Sequence, residues 1–137
     1  MSTNTEKFNI KKMIADYIQD GFLDNIVDMF KHDESLYSYV GDLMKDERIM
    51  VRIGVSALVE TLRKEDSKNI LRALPSVIPL LEDQNPILRC DAAYLLGIIG
   101  HKDAIPFLRK ASQNGHPHIR TIAEESIEDI EAHPNPQ

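Results

Sequence analysis

Histidine, cysteine and carboxylate are the side chains of this 137-residue sequence that could do chemistry. His101, His116 and His118 fall close together, with Cys90 a little upstream. Imidazole and thiolate are zinc ligands, but a zinc site wants such donors converging. No Cys-x-x-Cys or His-x-x-x-His pair is present, and His116-Pro117-His118 reads as the opening of a helix, so neither metal nor cofactor is expected. Glu124, Glu125, Glu128, Asp129 and Glu131 could pair for acid–base work. Their crowding on one short stretch reads instead as the solvated face that a last repeat presents. None of the serines sits in a nucleophile elbow, and Cys90 has no histidine at a telling spacing. Gly97-x-x-Gly100 ends a helix rather than cradling a phosphate. The expectation is no enzyme and no catalytic residue.

The elements that position these residues are helices. Asn85 can cap a helix whose first turn accepts Pro86, and Leu88, Ala92, Leu95, Leu96 and Ile99 recur at helical spacing up to a stop at Gly100. Asp103 is then expected to cap a second helix, making a hairpin. Upstream, Ile10, Met13, Ile14, Tyr17 and Ile18 share one helical face that ends at Asp20-Gly21. Phe22, Leu23, Ile26, Val27 and Phe30 share another. A third helix carries Leu36, Val40, Leu43 and Met44, and a fourth Val51, Val55, Leu58, Val59 and Leu62. Pro75 suits a helix start but Pro79 does not, so the helix over 69–82 should kink or break. A last helix opens at Pro117 and cannot pass His133-Pro134-Asn135-Pro136. No period-two alternation marks a strand.

The hairpin repeats. Arg89 answers Arg120 at 31 residues, as Pro86 answers Pro117, Ala73 answers Ala104 and Pro75 answers Pro106. From the start of each second helix to the next arginine the distance is 16: Leu36 to Arg52, Ala73 to Arg89, Ala104 to Arg120. Six residues before each arginine stands Asp46, Asp83 or Asn114. A fixed period with apolar positions in register is the sequence form of a solenoid, because a lone hairpin cannot bury its apolar face.

Leu88-Arg89-x-x-Ala92-Ala93-x-x-Leu96-Gly97-x-Ile99-Gly100-x-x-x-Ala104-Ile105-x-x-Leu108 resembles the HEAT-like repeat of the phycobilisome-lyase type. The resemblance is strong over 83–120, fair over 36–82 and absent before about residue 33. It implies stacked helix pairs, most members of which bind proteins. The link from Arg52 to Ala73 is six residues longer than that from Arg89 to Ala104, and Ser112 stands where Leu81 stands one repeat earlier. A HEAT-type hydroxylase holds iron by His-Glu dipeptides, and this sequence has none. HEAT-like glycosylases cradle DNA on a basic face. Arg89, Lys102, Arg109 and Lys110 make the middle repeat mildly basic between acidic ends. A net charge of −6 and the absence of tryptophan weigh against nucleic acid.

The expected architecture is all-α: a right-handed α-α superhelix, a HEAT-like solenoid of about seven helices in one domain over 1–137. Residues 1–35 form an N-terminal helical cap, with 1–5 disordered; 36–131 are repeats and 132–137 a disordered tail. One cysteine, a polar N-terminus and no long apolar run lead to a cytoplasmic expectation without membrane contact. The expected role is a noncatalytic scaffold or adaptor for a protein partner. The alternatives are an accessory subunit of a bilin-lyase-like prosthetic-group enzyme or, third, nucleic-acid binding.

Three residue sets follow. Because second helices line the concave face in such stacks, Tyr37, Asn69, Arg72, Ser76, Pro106, Arg109, Lys110 and Gln113 are candidates for partner binding. Aligned first helices put Ile53, Ala57, Cys90, Tyr94 and Ile98 on a convex apolar stripe, which a homodimer could bury or the N-terminal helix could cover. Asp46–Arg52, Asp83–Arg89 and Asn114–Arg120 form an expected structural ladder, each arginine bonding back across its turn.

Overall fold

The computed structural model describes residues 9–137, which form eight helical rods and no strand. The expected disorder of residues 1–5 lies outside the described residues. α1 is Ile10–Gln19 and α2 Leu23–His32. α3 joins a 3-10 turn, Glu34–Tyr39, to a short α-helix, Val40–Met44. α4 is Ile49–Glu65. α5 comes in three pieces: Asn69–Ala73, Leu74–Val77 and Ile78–Glu82. α6 is Pro86–Ile99, α7 joins Lys102–Ala104 to Ile105–Ser112, and α8 is Pro117–Ala132.

Local chemistry sets these bounds. Asn9, Asp33 and Asn85 each accept a backbone N–H at a helix start. Gly21 (φ 90°) and Gly100 (φ 77°) take the left-handed conformation that ends α1 and α6. Pro75 and Pro79 each remove an N–H from the α-helical ladder, and α5 answers by tightening to 3-10 geometry on both sides of one short α-turn. α7 carries only Pro106 near its start, so it runs unbroken from Ile105 to Ser112. Its opening is capped by His101, not by Asp103 as expected: His101 Nδ1 accepts the Asp103 N–H at 3.0 Å. The acceptor sits two residues earlier than the sequence pattern suggested, and Asp103 supplies the donor.

The rods stack in two layers. The first holds α1, α4, α6 and α8, each packed on the next; the second holds α3, α5 and α7. α2 lies against α3 and α4. Between the layers runs one apolar core, with Phe30, Tyr37, Leu58, Leu62, Ile70, Leu95 and Leu96 essentially without solvent contact. Two close approaches depend on glycine. A Cβ at Gly41 would run into the Ser76 carbonyl of α5, and one at Gly97 would stand 2.6 Å from Ser126 Oγ of α8. Ser126 occupies that space, donating to the Ala93 carbonyl at 2.8 Å.

The segment after α8, expected to be a disordered tail, is docked. Asn135 is buried; its Nδ2 donates to Ser67 O at 2.9 Å and Ile99 O at 3.2 Å, and its N–H donates to Gly100 O at 2.9 Å. The carbonyls at the end of α6 lack helical donors, and this segment supplies them.

Candidate protein-interaction surfaces

The turn before each first helix is built the same way. Asp46 accepts the Arg48 N–H, Asp83 the Asn85 N–H and Asn114 the His116 N–H, all at 2.9 Å. The Asp or Asn at this position therefore serves the turn itself, an Asx turn that launches α4, α6 and α8. The arginines six residues on have three different fates, unlike the uniform ladder expected. Asp46 is held bidentate by Arg48, whose Nε and Nη2 lie 3.0 Å from its two oxygens, so it is taken before Arg52 can reach it. Arg52 turns to Asp91 of the neighbouring helix at 3.8 Å. Arg89 donates through Nη1 to the Asp83 main-chain carbonyl at 2.8 Å. Arg120 is exposed.

Arg48 was not singled out by sequence. It also reaches Asp16 of α1 at 2.9 Å, tying the N-terminal helix to the start of α4. Lys12 and Arg48 hold the Asp16 carboxyl below the usual carboxylate range, and Arg48 does the same for Asp46. Asp91 is shifted the other way: burial raises it, against the pull of Arg52.

Of the second-layer candidates, Pro106, Arg109, Lys110 and Gln113 of α7 are exposed, as is Arg72 of α5. Arg72 lies 3.2 Å from Glu34 and Lys110 3.4 Å from Glu82. Tyr37 is a correction: it is fully buried, packed edge-on to Phe30, with its hydroxyl donating to Asp66 at 2.7 Å. Burial and the Asp66 carboxylate push its phenol far above the usual tyrosine range. Tyr37 lies in the 3-10 first part of α3, in line with the fully buried Val40 three residues on. Ser76 is spoken for as well, accepting the Gly41 N–H and donating to Ala73 O, each at 3.0 Å. Asn69 is half-buried.

On the first layer, Ile53 and Tyr94 are 56% and 49% exposed, while Ala57, Cys90 and Ile98 are half-buried. α1 does not fold over this stripe. It extends the layer beside α4, with Ile18 seated on Gly54. Burial and Asp91 raise the Cys90 thiol, which makes it a poor nucleophile. The sequence reading left out further exposed apolar side chains here: Tyr17, Phe22, Ile49, Met50 and Ile87. Asp16–Arg48 and Tyr94–Glu60 (3.2 Å) fix the register of α1, α4 and α6.

Among the described residues no group of three His, Cys, Asp or Glu side chains could hold a metal ion. His116 and His118 stack at 5.6 Å between ring centres, and His101 belongs to the other hairpin end, beside Gln137. No helix of the described residues is long and apolar enough to cross a membrane.

Helix pairs stacked one on the next, launched by one recurring turn, define a helical-repeat protein. The profile of HEAT repeats matches residues 42–128, from within α3 to within α8, and the chain belongs to that family. No curated protein matches the chain.

Proposed function

We propose that this chain is a noncatalytic scaffold that binds a protein partner through its solvent-facing helix surfaces. The observation that carries the reading is the exposed apolar band of the first layer, Tyr17, Ile53, Ile87 and Tyr94, on helices whose other sides are already packed. An apolar band of this kind, rimmed by charge, marks an interaction surface. HEAT repeats generally mediate protein–protein interaction, which agrees with it. A net charge of −6 weighs against a phosphate backbone as the partner. A photo-crosslinking residue placed at Tyr94, and in parallel at Phe107 of α7, tests the reading in extract of the native host. Discrete protein adducts from either position, absent from a control at Glu131, are expected. No adduct from either would refute the scaffold.

A further inference from the structure

The two repeats carry equivalent grooves with opposite electrostatics. In the first, Arg52 shares the groove with Asp46, Glu47, Asp83 and Asp91 and pairs with Asp91 at 3.8 Å. In the second, the 31-residue equivalence replaces Asp83 by Asn114 and Asp91 by Ile122. Arg89 consequently has no carboxylate within 4 Å among the described residues. Its Nη1 is held by main-chain carbonyls; its buried Nε has no hydrogen-bond partner, and neither has that of Arg52, so what sets Arg89 apart is the missing carboxylate. This second groove has a volume of 360 Å³ and runs between α5 and α7. Its walls are Ile78 and Leu81 on one side and Phe107 and Ala111 on the other, with Arg89, Lys110, Glu82 and Asn114 as its polar lining. Phe107 is 48% exposed and stands where the preceding repeat has Ser76.

We propose that this groove binds a partner peptide in which a carboxylate stands beside a large apolar side chain. The carboxylate meets Arg89 and Lys110, and the apolar side chain lies between Phe107 and Ile78. The assignment rests on the scaffold reading and deepens it by naming the peptide chemistry. Arginine is suited to the role because its planar fork matches a carboxylate, and a half-buried cation lacking a counter-ion gains most from one. Lys110 now shares Glu82 at 3.4 Å across the groove, an exposed pair that an incoming carboxylate can displace.

The test is panning of random 12-residue peptides, displayed on phage, against the full chain, followed by anisotropy titration of an enriched peptide. Enrichment of Asp or Glu next to Phe, Leu or Ile is expected. Phe107→Ser and Lys110→Glu, both at exposed positions, should each weaken the enriched peptide about tenfold with the melting temperature held. Replacing the peptide's carboxylate by its amide should do the same. Ile122→Asp, which restores the carboxylate that Arg52 enjoys, should weaken binding by competition while leaving the apolar walls intact. Enrichment of basic peptides, no enrichment, or affinity indifferent to Phe107→Ser and Lys110→Glu overturns the proposal. A dimer that Phe107→Ser dissolves would put a second copy in the groove and overturn it equally. Adducts from Tyr94 but none from Phe107 would remove the groove alone and leave the scaffold standing.

Discussion

Arg63 should be the clasp between α4, α6 and the C-terminal segment. Its Nη1 donates to Ile99 O at 2.6 Å and its Nη2 to His133 O at 3.0 Å. The guanidinium thus sits on the carbonyl end of α6, where a cation opposes the negative pole of the helix dipole. The left-handed Gly100 leaves the room, for a Cβ there would run into Nη1. In Arg63→Ala the Ile99 carbonyl is not orphaned, because Asn135 Nδ2 still reaches it at 3.2 Å. The loss is then one charge-assisted bond plus a weaker exposed one, about 2 kcal/mol in all. For a chain of this size that corresponds to a fall in melting temperature of roughly 6–10 °C. Thermal unfolding followed by circular dichroism reads it directly. A double-mutant cycle with Asn135→Ala should show coupling, since both side chains serve the same carbonyl. Hydrogen exchange should find the amides of His133, Asn135 and Gln137 deprotected in either single variant. A melting temperature lowered by less than about 2 °C, or Arg63→Lys behaving as the parent in both assays, would refute the clasp.

Three further outcomes follow from the same contacts. Gly41→Ala drives a Cβ into the Ser76 carbonyl and should cost about 1–3 kcal/mol by urea titration, whereas Gly115→Ala, with nothing within 4 Å, should cost far less. The Asp16 and Asp46 carboxyls are held low in the folded state, so their contribution is full above the ordinary carboxylate range near pH ~4 and is lost as pH falls through the depressed values. Acid titration of Arg48→Gln should therefore show a flatter acid limb, and an unchanged one would place the acid sensitivity elsewhere. Tyr94→Glu, at a half-exposed position, should shift stability by less than about 1 kcal/mol yet abolish crosslinks from neighbouring Ile98; unfolding would make the stripe part of the core.

Helix periodicity and capping chemistry made most of the fold legible. The face carrying Leu88, Ala92, Leu95, Leu96 and Ile99 is the buried face of α6, with Asn85 and Gly100 at its ends. The two prolines of α5 announced its break. What escaped was what depends on one element meeting a distant one. Arg63 reads as an ordinary lysine-arginine helix end, and its carbonyl acceptors lie 36 and 70 residues away. The same holds for Asn135, whose flanking prolines signalled the end of a helix but not a docking site. Tyr37 escaped for the same reason: its ring packs on Phe30 and its hydroxyl is met by Asp66, 29 residues away.

The arginine position shows how far alignment reaches. Counting along the repeat located Arg52, Arg89 and Arg120 and the polar residue six before each, and all three polar residues do launch their helices. Equal spacing does not make equal partners, because a guanidinium goes to whichever carboxylate lies nearest once the helices are stacked. Arg48 pre-empts Asp46, so Arg52 depends on Asp91 from the next rod. The residue that decides the fate of Arg89 is thus the equivalent of Asp91, two places after Arg120. That residue is Ile122, and its identity was visible in the sequence throughout. Reading each arginine against the following repeat, instead of against its own turn, is what separates a half-buried ion pair from a cation left facing a groove.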